Sequence, residues 1–265
     1  MAVPFDTSVP NVARMYNVLL GGKDNFAADR AAAGKILEIE PGSAVAARQN
    51  RDFLRRAVRF LTDEIGIRQF LDIGSGLPTA DNVHEVAQSL APESRIVYVD
   101  YDSVVLSHAR ALLVSSPEGK CAYVDSDLRD TRSIITHAAD TLDFAEPIAI
   151  LLIAIMHFIP DKDDPWDIVR RLTAAVPPGS YLVVSHATLQ YFADAANKDR
   201  LNAVYAGTAS GGVTPRAFPE IRSLFNELEL IDPGVVDISA WRPVVRRAGN
   251  HSGRTLFYGG IAKKP

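Results

Sequence analysis

The stretch FLDIGSGLPT, residues 70–79, combines residue types that could bind a small ligand. An acid, Asp72, stands near the end of an apolar run, and two glycines, Gly74 and Gly76, follow it. Because a glycine carries no Cβ, such a turn lets backbone N–H groups come close to a ligand. The nearby carboxylate would attract positive charge on that ligand. The stretch therefore predicts a binding site just beyond a buried strand.

Two further acids follow predicted strands. Asp100 ends the run RIVYVD, where an acid can accept hydrogen bonds from both hydroxyls of a ribose. Asp127 follows the run CAYV and is preferred over Asp125 and Asp130, which could serve only as a helix cap or a solvated acid. Because the carboxyl ends of parallel strands meet at one edge of a sheet, these acids and the glycine turn predict a pocket for an adenosine-like molecule.

Strand and helix patterns alternate from residue 67 to residue 265, which we expect to form the core. Apolar runs predict strands at 69–73, 95–99, 121–124, 148–153, 180–185, 234–238 and 254–261. Helical periodicity and capping residues predict helices at 81–90 and 103–113, from Asp164-Pro165 and from Thr214-Pro215. This alternation predicts an α/β fold with a mostly parallel sheet covered by helices on both faces.

Residues 1–66 differ in character and predict an N-terminal helical cap that contributes to the site within one compact domain. In the run RQNRDFLRRAVRFLTDEI the apolar residues share one helical face and the arginines another. Most of these arginines are expected to be solvated. Arg51 is the one that we expect to hold a ligand carboxylate, because a guanidinium can do so with paired hydrogen bonds.

The glycine turn also distinguishes between nucleotide cofactors. The dinucleotide fingerprint G-x-G-x-x-G requires a third glycine where this sequence has Thr79. A pyrophosphate would also be repelled by Asp72. S-adenosylmethionine instead carries an ammonium, a sulfonium, a ribose and an adenine, which suit these acids. An NAD(P)-dependent oxidoreductase remains as the weaker alternative.

At these residues the sequence resembles the class I S-adenosylmethionine-dependent methyltransferases, whose first motif is an acid-x-Gly-x-Gly turn. The segments NVLLGGKDNFAADR, DIGSGLPT, VYVDYD, DLRD and IMHFIPD are similar to those of an actinobacterial, and therefore bacterial, family of S-adenosyl methyltransferases with no assigned substrate. The resemblance covers the chain from about Phe70 to the C-terminus. It implies a Rossmann-like methyltransferase fold with a seven-stranded sheet, the last strand inserted antiparallel.

The resemblance also implies cofactor contacts at the first two strand ends. Gly74, Ser75 and Gly76 would enclose the methionyl part of S-adenosylmethionine. Asp100 would hold the ribose hydroxyls, and Tyr101 would lie against the adenine. S-adenosylhomocysteine would be the product.

Further contacts are implied at the third and fourth strand ends. Asp127 would accept a hydrogen bond from the adenine amino group, and Leu128 would offer a backbone N–H and an apolar wall. Ile153 and Ala154 would contact the cofactor through their backbone, which makes the floor of the site unusually apolar. His157 would stand near the transferable methyl as a general base or as a hydrogen-bonding group that orients the acceptor. A satisfied core histidine is the alternative.

The segment LLGGKDNFAADR is more specific than an ordinary linker. We hypothesise that it folds over the cofactor and forms the acceptor pocket, with Tyr16, Lys23 and Asn25 pointing inward, Tyr16 as a catalytic residue and the other two at the cofactor. The alternative is a turn between two surface helices.

Composition narrows the possible partners and the compartment. The chain has 265 residues, 47% of them hydrophobic, and a formal net charge of −4, which argues against a nucleic-acid partner. The lone Cys121 excludes an intrachain disulfide and fits a reducing compartment. No signal sequence opens the chain and no apolar run is long enough to span a bilayer, so we expect a cytoplasmic protein without a membrane partner.

The histidines do not have metal-ligand spacing, so no metal site is predicted, and His84 is expected to face solvent. The sequence predicts a methyltransferase that moves a methyl group to an O, N or C atom of a small molecule, as a monomer or a homodimer. A regulatory protein that binds S-adenosylmethionine without catalysis is the alternative from another functional class.

Overall fold

Eight strands form one sheet in the part of the chain that the computed structural model describes, residues 6–79, 81–102, 104–107, 114–188, 195–243 and 256–265. The strands are β1 Gln69–Ile73, β2 Arg95–Asp100, β3 Lys120–Asp125, β4 Ala149–Ile153, β5 Tyr181–Ala187, β6 Glu229–Leu230, β7 Val236–Asp237 and β8 Phe257–Lys263.

Helices pack around this sheet. The α-helices are α1 Val12–Leu19, α2 Ala27–Ile39, α3 Ser43–Arg59, α4 Val83–Leu90, α5 Thr131–Ala138, α6 Pro165–Ala174, α7 Ala195–Ala206 and α8 Phe218–Ser223. A π-helical turn, Phe60–Ile65, continues α3, and short 3₁₀ turns lie at Met156–Phe158 and Asp161–Asp163. Residues 104–107 are also helical. None of the described helices is long and apolar enough to cross a membrane.

The strand order is β3-β2-β1-β4-β5-β8-β6, with β7 paired to β8. Strands β1 to β5 are parallel, and β8 is inserted antiparallel beside β5. This confirms the predicted mostly parallel sheet with an antiparallel last strand. The additional strand is β6, whose two residues are too few to produce a recognisable alternation.

The sheet is buried on both faces. Leu71 and Ile73 pack into one apolar cluster with α5 and α6, whereas Phe70 packs into a second cluster with α3 and α4. The two-residue period of a strand sends neighbouring side chains to opposite faces, and all five residues of β1 are buried, the polar Gln69 and Asp72 included. On the second face Trp241 meets Phe53 edge-on at 5.6 Å between ring centroids.

The N-terminal helices form a third apolar cluster. It joins α1, α2 and α3 to α7 through Met15, Ile36, Ala47 and Leu201. The buried face predicted for α3 is confirmed, although the helix begins at Ser43, five residues before the predicted run. These helices stand over the carboxyl ends of the central strands and therefore form a roof above that edge of the sheet.

Two helix boundaries differ from the predictions, and two other predicted elements are only partly described. The helix predicted from Thr214-Pro215 begins at Phe218, because residues 211–217 form an irregular loop. The helix predicted at 81–90 begins at Val83, after the N-cap residue Asn82. The predicted helix 103–113 is described only at 104–107, and the predicted start of the last strand at Arg254 lies outside the described residues.

His84 is buried at 3% exposure, so the prediction that it faces solvent is wrong. The reason is a polar partner on the neighbouring strand. The Tyr98 hydroxyl accepts the backbone N–H of His84 at 2.9 Å and lies 2.8 Å from the ring Nδ1. The hydroxyl provides the hydrogen-bonding partner that the buried His84 needs, whereas helical periodicity alone predicts that His84 faces solvent.

A buried ion pair fixes α1 against α2. The carboxylate of Asp29, 0% exposed, accepts the backbone N–H groups of Asn11 and Phe26 at 2.9 and 2.8 Å and the Arg14 Nε–H at 2.9 Å. Arg14 also reaches Asp102, beyond β2, at 3.5 Å. The pair therefore connects the N-terminal helices to the sheet.

Replacing Asp29 should destabilise the protein without disturbing its surface. In Asp29→Asn an NH2 group replaces one carboxylate oxygen and faces existing N–H donors, and Arg14 loses the nearer of its two buried countercharges. We expect the free energy of unfolding to fall by about 3 kcal/mol in urea titrations. The control is Glu38→Gln, an exposed acid on the same helix, which should leave stability unchanged. Equal stability of the two variants would contradict this account.

Candidate functional site

A cavity of about 1480 Å³, counted with its open mouth, lies over the carboxyl ends of β1, β4 and β5; we call it the main cavity. Its roof is formed by α1, α2, α3 and α7. A side cavity of about 660 Å³ lies beyond the end of β3. The two cavities adjoin, because both are lined by Val12, Gly74, Asp100, Tyr101, Ile155 and Phe158. Strand order reverses between β1 and β4, which is where such sheets bind ligands.

The glycine turn after β1 forms one wall of the main cavity. Gly74 and Gly76 have φ values of +74° and +65°, a left-handed conformation that favours glycine. A Cβ on Gly74 would lie 2.6 Å from Cγ1 of Ile155, whereas the nearest atom to a Cβ on Gly76 would be 3.9 Å away. Gly74 is therefore constrained by packing as well as conformation, and the space at Gly76 is open to the cavity.

Asp100 holds this turn in place. Its carboxylate accepts the backbone N–H of Gly76 at 2.9 Å and that of Asp102 at 3.0 Å. Burial raises the pKa of Asp100, and these two hydrogen bonds oppose the shift. The residue predicted to hold a ribose thus also positions the backbone that a ligand would approach.

Asp72 is a buried carboxylate that lines the main cavity. It is 5% exposed, and burial raises its pKa to about 7. The positive charge of Arg51 opposes that shift, and the nearby Asp100 carboxylate adds to it. A positive group brought into the cavity would stabilise the ionised form of Asp72.

The structure distinguishes among the three acids near the end of β3. Asp127 lines the side cavity together with Tyr101 and Leu128. Its two carboxylate oxygens accept hydrogen bonds from Arg129, from the backbone N–H at 2.8 Å and from Nη1 at 2.7 Å. Asp130 caps α5 by accepting from the backbone of Ser133, and Asp125 is exposed.

A polar chain joins the roof of the main cavity to the sheet. The backbone N–H of Ala154 donates to Ser185 Oγ at 3.0 Å, and that hydroxyl donates to Asn50 Oδ1 at 2.6 Å. Asn50 Nδ2 then donates to the Tyr16 hydroxyl at 3.0 Å, which donates to the Ala47 carbonyl at 2.9 Å. Burial raises the pKa of Tyr16, so its hydroxyl stays protonated.

Sequence reasoning missed Asn50 and Ser185. The sequence does contain a signal for Asn50. This residue lies three positions before Phe53 and four before Leu54, and therefore on the apolar face of α3. A polar residue in such a position requires a buried partner. The partner here is 135 residues away in the chain, which no local pattern identifies.

His157 also lines the main cavity, with a defined arrangement of its ring nitrogens. Its Nδ1 accepts the backbone N–H of Ala187 at 3.3 Å, so the proton of the neutral ring lies on Nε2. Burial, the neighbouring His186 and the Arg216 guanidinium hold the pKa of His157 well below its usual range. Arg216 is itself paired with Asp161 at 2.6 Å. The geometry therefore favours a hydrogen-bond donor over a general base.

Two of the residues expected in the pocket from the N-terminal segment are elsewhere. Lys23 is exposed, and the Asn25 amide donates to Asn17 Oδ1 at 2.9 Å and to the Gly22 carbonyl at 3.0 Å. Neither lines the main cavity, whereas Tyr16 does. This placement corrects the expectation that Lys23 and Asn25 point inward, because the separate turn at Gly21 and Gly22 wraps around Asn17 instead.

The remaining predicted residues are brought together. Arg51, Ser75, Ile153 and Ala154 line the main cavity with the groups described above. Arg51 also donates to the Asp81 carbonyl at 3.1 Å.

Comparison with known proteins identifies the family. A family model described as S-adenosyl methyltransferase matches residues 2–265. The chain belongs to this family. No curated protein matches it significantly.

Solved structures support the assignment. The methyltransferase is 44% identical to a DUF574 family protein from Streptomyces avermitilis MA-4680, with a TM-score of 0.91 over 98% of this chain and 99% of that one. It is 41% identical to a candidate methyltransferase from Thermobifida fusca YX, with a TM-score of 0.87 over 98% and 96% of the two chains. The N-methyltransferase NodS from Bradyrhizobium japonicum WM9, bound to S-adenosylhomocysteine, shares the fold at 15% identity and a TM-score of 0.50 over 95% and 99% of the two chains.

The cleft fits the cofactor of this family, S-adenosylmethionine. A positive ligand would compensate the buried Asp72 carboxylate, whose raised pKa reports its unfavourable environment. The open space at Gly76 leaves the turn accessible to a ligand. No group of three or more histidine, cysteine or acidic side chains in the described ranges is placed to hold a metal ion.

The protonation state of His157 can be observed directly. We expect ¹⁵N NMR of the histidine rings to show a neutral His157 with its proton on Nε2 throughout the range from about pH 5.5 to 8. The signal is assigned by its loss in His157→Gln. A ring that titrates near its usual pKa, or that carries its proton on Nδ1, would contradict the geometry.

Proposed function

We propose that this methyltransferase moves the methyl group of S-adenosylmethionine to an O, N or C atom of a small-molecule acceptor within the main cavity. One observation carries the proposal. The main cavity continues from the glycine turn into a space enclosed between the sheet and the roof helices, where Tyr16 and His157 line it. Such a space suits a small acceptor rather than a polymer, and the net charge of −4 argues in the same direction against nucleic acid.

We assign the methionyl part of the cofactor to the glycine turn. Gly74, Ser75 and Gly76 enclose it, and the Asp72 carboxylate attracts its positive charge. Arg51 pairs with its carboxylate, for which a guanidinium is suited. The support for these roles is that all five residues line one cavity and that the Arg51 charge acts on Asp72.

The nucleoside part is assigned to the junction of the two cavities. Asp100 lines both cavities, which supports its role as the acceptor of hydrogen bonds from the ribose hydroxyls. Tyr101, Asp127 and Leu128 line the side cavity, which suits the adenine. The hydrogen bonds from Arg129 hold the Asp127 carboxylate in a fixed orientation. Ile153 and Ala154 form an apolar floor beneath the cofactor.

The cofactor supplies a methyl group on a sulfonium, which is already a good leaving group. The chain therefore contributes mainly by positioning the acceptor and excluding water. His157 donates its Nε2–H to the acceptor, and the polar chain from Ser185 through Asn50 fixes the Tyr16 hydroxyl in the same cavity. The bond from the acceptor atom to the methyl carbon would form as the C–S bond breaks, and the sulfur would keep that electron pair as the thioether of S-adenosylhomocysteine. The acceptor's proton would leave to water at the open mouth of the cavity, so a strong general base is not required in this scheme.

Calorimetric titration with S-adenosylmethionine tests the proposal. Asp100→Asn should weaken binding by about tenfold or more, because it removes a charged acceptor for the ribose hydroxyls and disturbs the glycine turn. The matched control is Asp125→Asn, since Asp125 pairs in register with Asp100 on the next strand but is exposed. Its affinity should be unchanged. Unaltered binding in Asp100→Asn, or preferential binding of NAD by the wild type, would contradict the assignment.

A further inference from the structure

Part of the main cavity has an apolar lining made by side chains outside the glycine turn; we call it the acceptor chamber. It is lined by Met15, Leu19, Ile36, Phe158, Leu201 and Tyr205. These residues come from the roof helices α1, α2 and α7 and from the turn after β4. The acceptor chamber is thus built from elements that do not form the cofactor turn.

The charges of the main cavity are concentrated at its cofactor end. Arg51, Asp72 and Asp100 are the formally charged side chains among its lining residues in the described ranges. The charges of Arg51 and Asp100 both act on Asp72, so the three lie together. The groups near the acceptor chamber are neutral, because burial raises the pKa of Tyr205 to about 12 and His157 is uncharged.

Aromatic rings form a continuous wall that extends from the acceptor chamber to His157 and Phe257, which also line the main cavity. Tyr205 lies 5.8 Å from Phe158, Phe158 lies 4.4 Å from His157, and His157 lies 5.8 Å from Phe257, measured between ring centroids. Their planes are inclined to one another by 53° to 65°. Inclined rings present both edges and faces, to which a flat aromatic ligand packs well.

We propose that the acceptor is an uncharged, planar aromatic molecule with an oxygen that accepts the Nε2–H of His157. This inference rests on the methyl-transfer function proposed above and specifies its substrate class. A carboxylate, phosphate or ammonium in the acceptor chamber would lose hydration without gaining an opposite charge from the described lining. A flat apolar ring would instead leave water for an apolar, aromatic surface.

Three probes of similar size and different charge test the class of acceptor. The protein is saturated with S-adenosylhomocysteine, and binding of 2-naphthol, 2-naphthoate and 2-naphthylmethylammonium is measured by calorimetry. We expect 2-naphthol to bind about tenfold or more tightly than either ion, since only the ions lose charge hydration. Equal or tighter binding of 2-naphthoate or of the ammonium would overturn the inference.

Variants locate the probe in the acceptor chamber. Tyr205→Ala should weaken 2-naphthol binding several-fold and leave S-adenosylhomocysteine binding unchanged, whereas Lys198→Ala, an exposed position on the same helix, should alter neither.

Val213 lines the main cavity, and the neighbouring Thr214 donates its N–H to the His157 carbonyl. Val213→Lys should therefore shift the preference from 2-naphthol toward 2-naphthoate. An unchanged preference in Val213→Lys, or unchanged 2-naphthol binding in Tyr205→Ala, would overturn the location.

A separate comparison of two ligands tests the hydrogen bond from His157 to the acceptor. 2-Naphthol should bind more tightly than 2-methylnaphthalene, and that advantage should persist in His157→Gln, which keeps an N–H donor, and vanish in His157→Phe. An equal advantage in all three proteins would overturn the contact. If the wild type fails to bind S-adenosylhomocysteine, the proposed function itself is refuted. If it binds that ligand but not 2-naphthol, only the present inference is refuted.

Discussion

The cost of burying the Asp72 and Asp100 carboxylates at the carboxyl edge of a parallel sheet governs the arrangement of this site. Asp100 is compensated within the protein, because it accepts the backbone N–H groups of Gly76 and Asp102. Asp72 is compensated only in part by the Arg51 charge, and its pKa rises to about 7. The protein thus keeps one buried acid whose ionised form a positive ligand would stabilise, which supports the proposed role of Asp72 in binding a sulfonium cofactor.

The N-terminal helices complete the site because they are tied to the sheet at two independent places. Arg14 bridges Asp29 on α2 and Asp102 beyond β2. The hydrogen-bonded chain from Ser185 through Asn50 to Tyr16 joins β5 to α3 and α1. Buried polar groups that are fully paired favour one packing over its alternatives, since any displacement leaves a donor or acceptor unsatisfied. The roof of the main cavity is therefore part of the site rather than an addition to it.

The sequence predicted the features that depend on local pattern. The apolar runs identified β1 to β5, of which β1, β2, β4 and β5 are almost fully buried, and the acids at the strand ends were singled out because strand ends converge. Features that depend on partners distant in the chain could not be predicted from local sequence patterns. His84 is buried because a hydroxyl on β2 accepts a hydrogen bond from it, and Asn25 turns away from the cavity because it donates a hydrogen bond to Asn17. Asn50 was missed because its partner Ser185 is remote in the chain.

The most direct test of the central claim is the number of protons released when S-adenosylmethionine binds, measured by calorimetry in buffers of different ionisation enthalpy. Because the pKa of Asp72 is about 7 before binding, a positive ligand should release about half a proton at pH about 7 and nearly one at pH about 6. Affinity should accordingly fall as the pH is lowered through this range. The release should vanish in Asp72→Asn. A binding enthalpy that does not depend on the buffer in the wild type would contradict the account, because Asp72 would then not be the group that meets the positive charge.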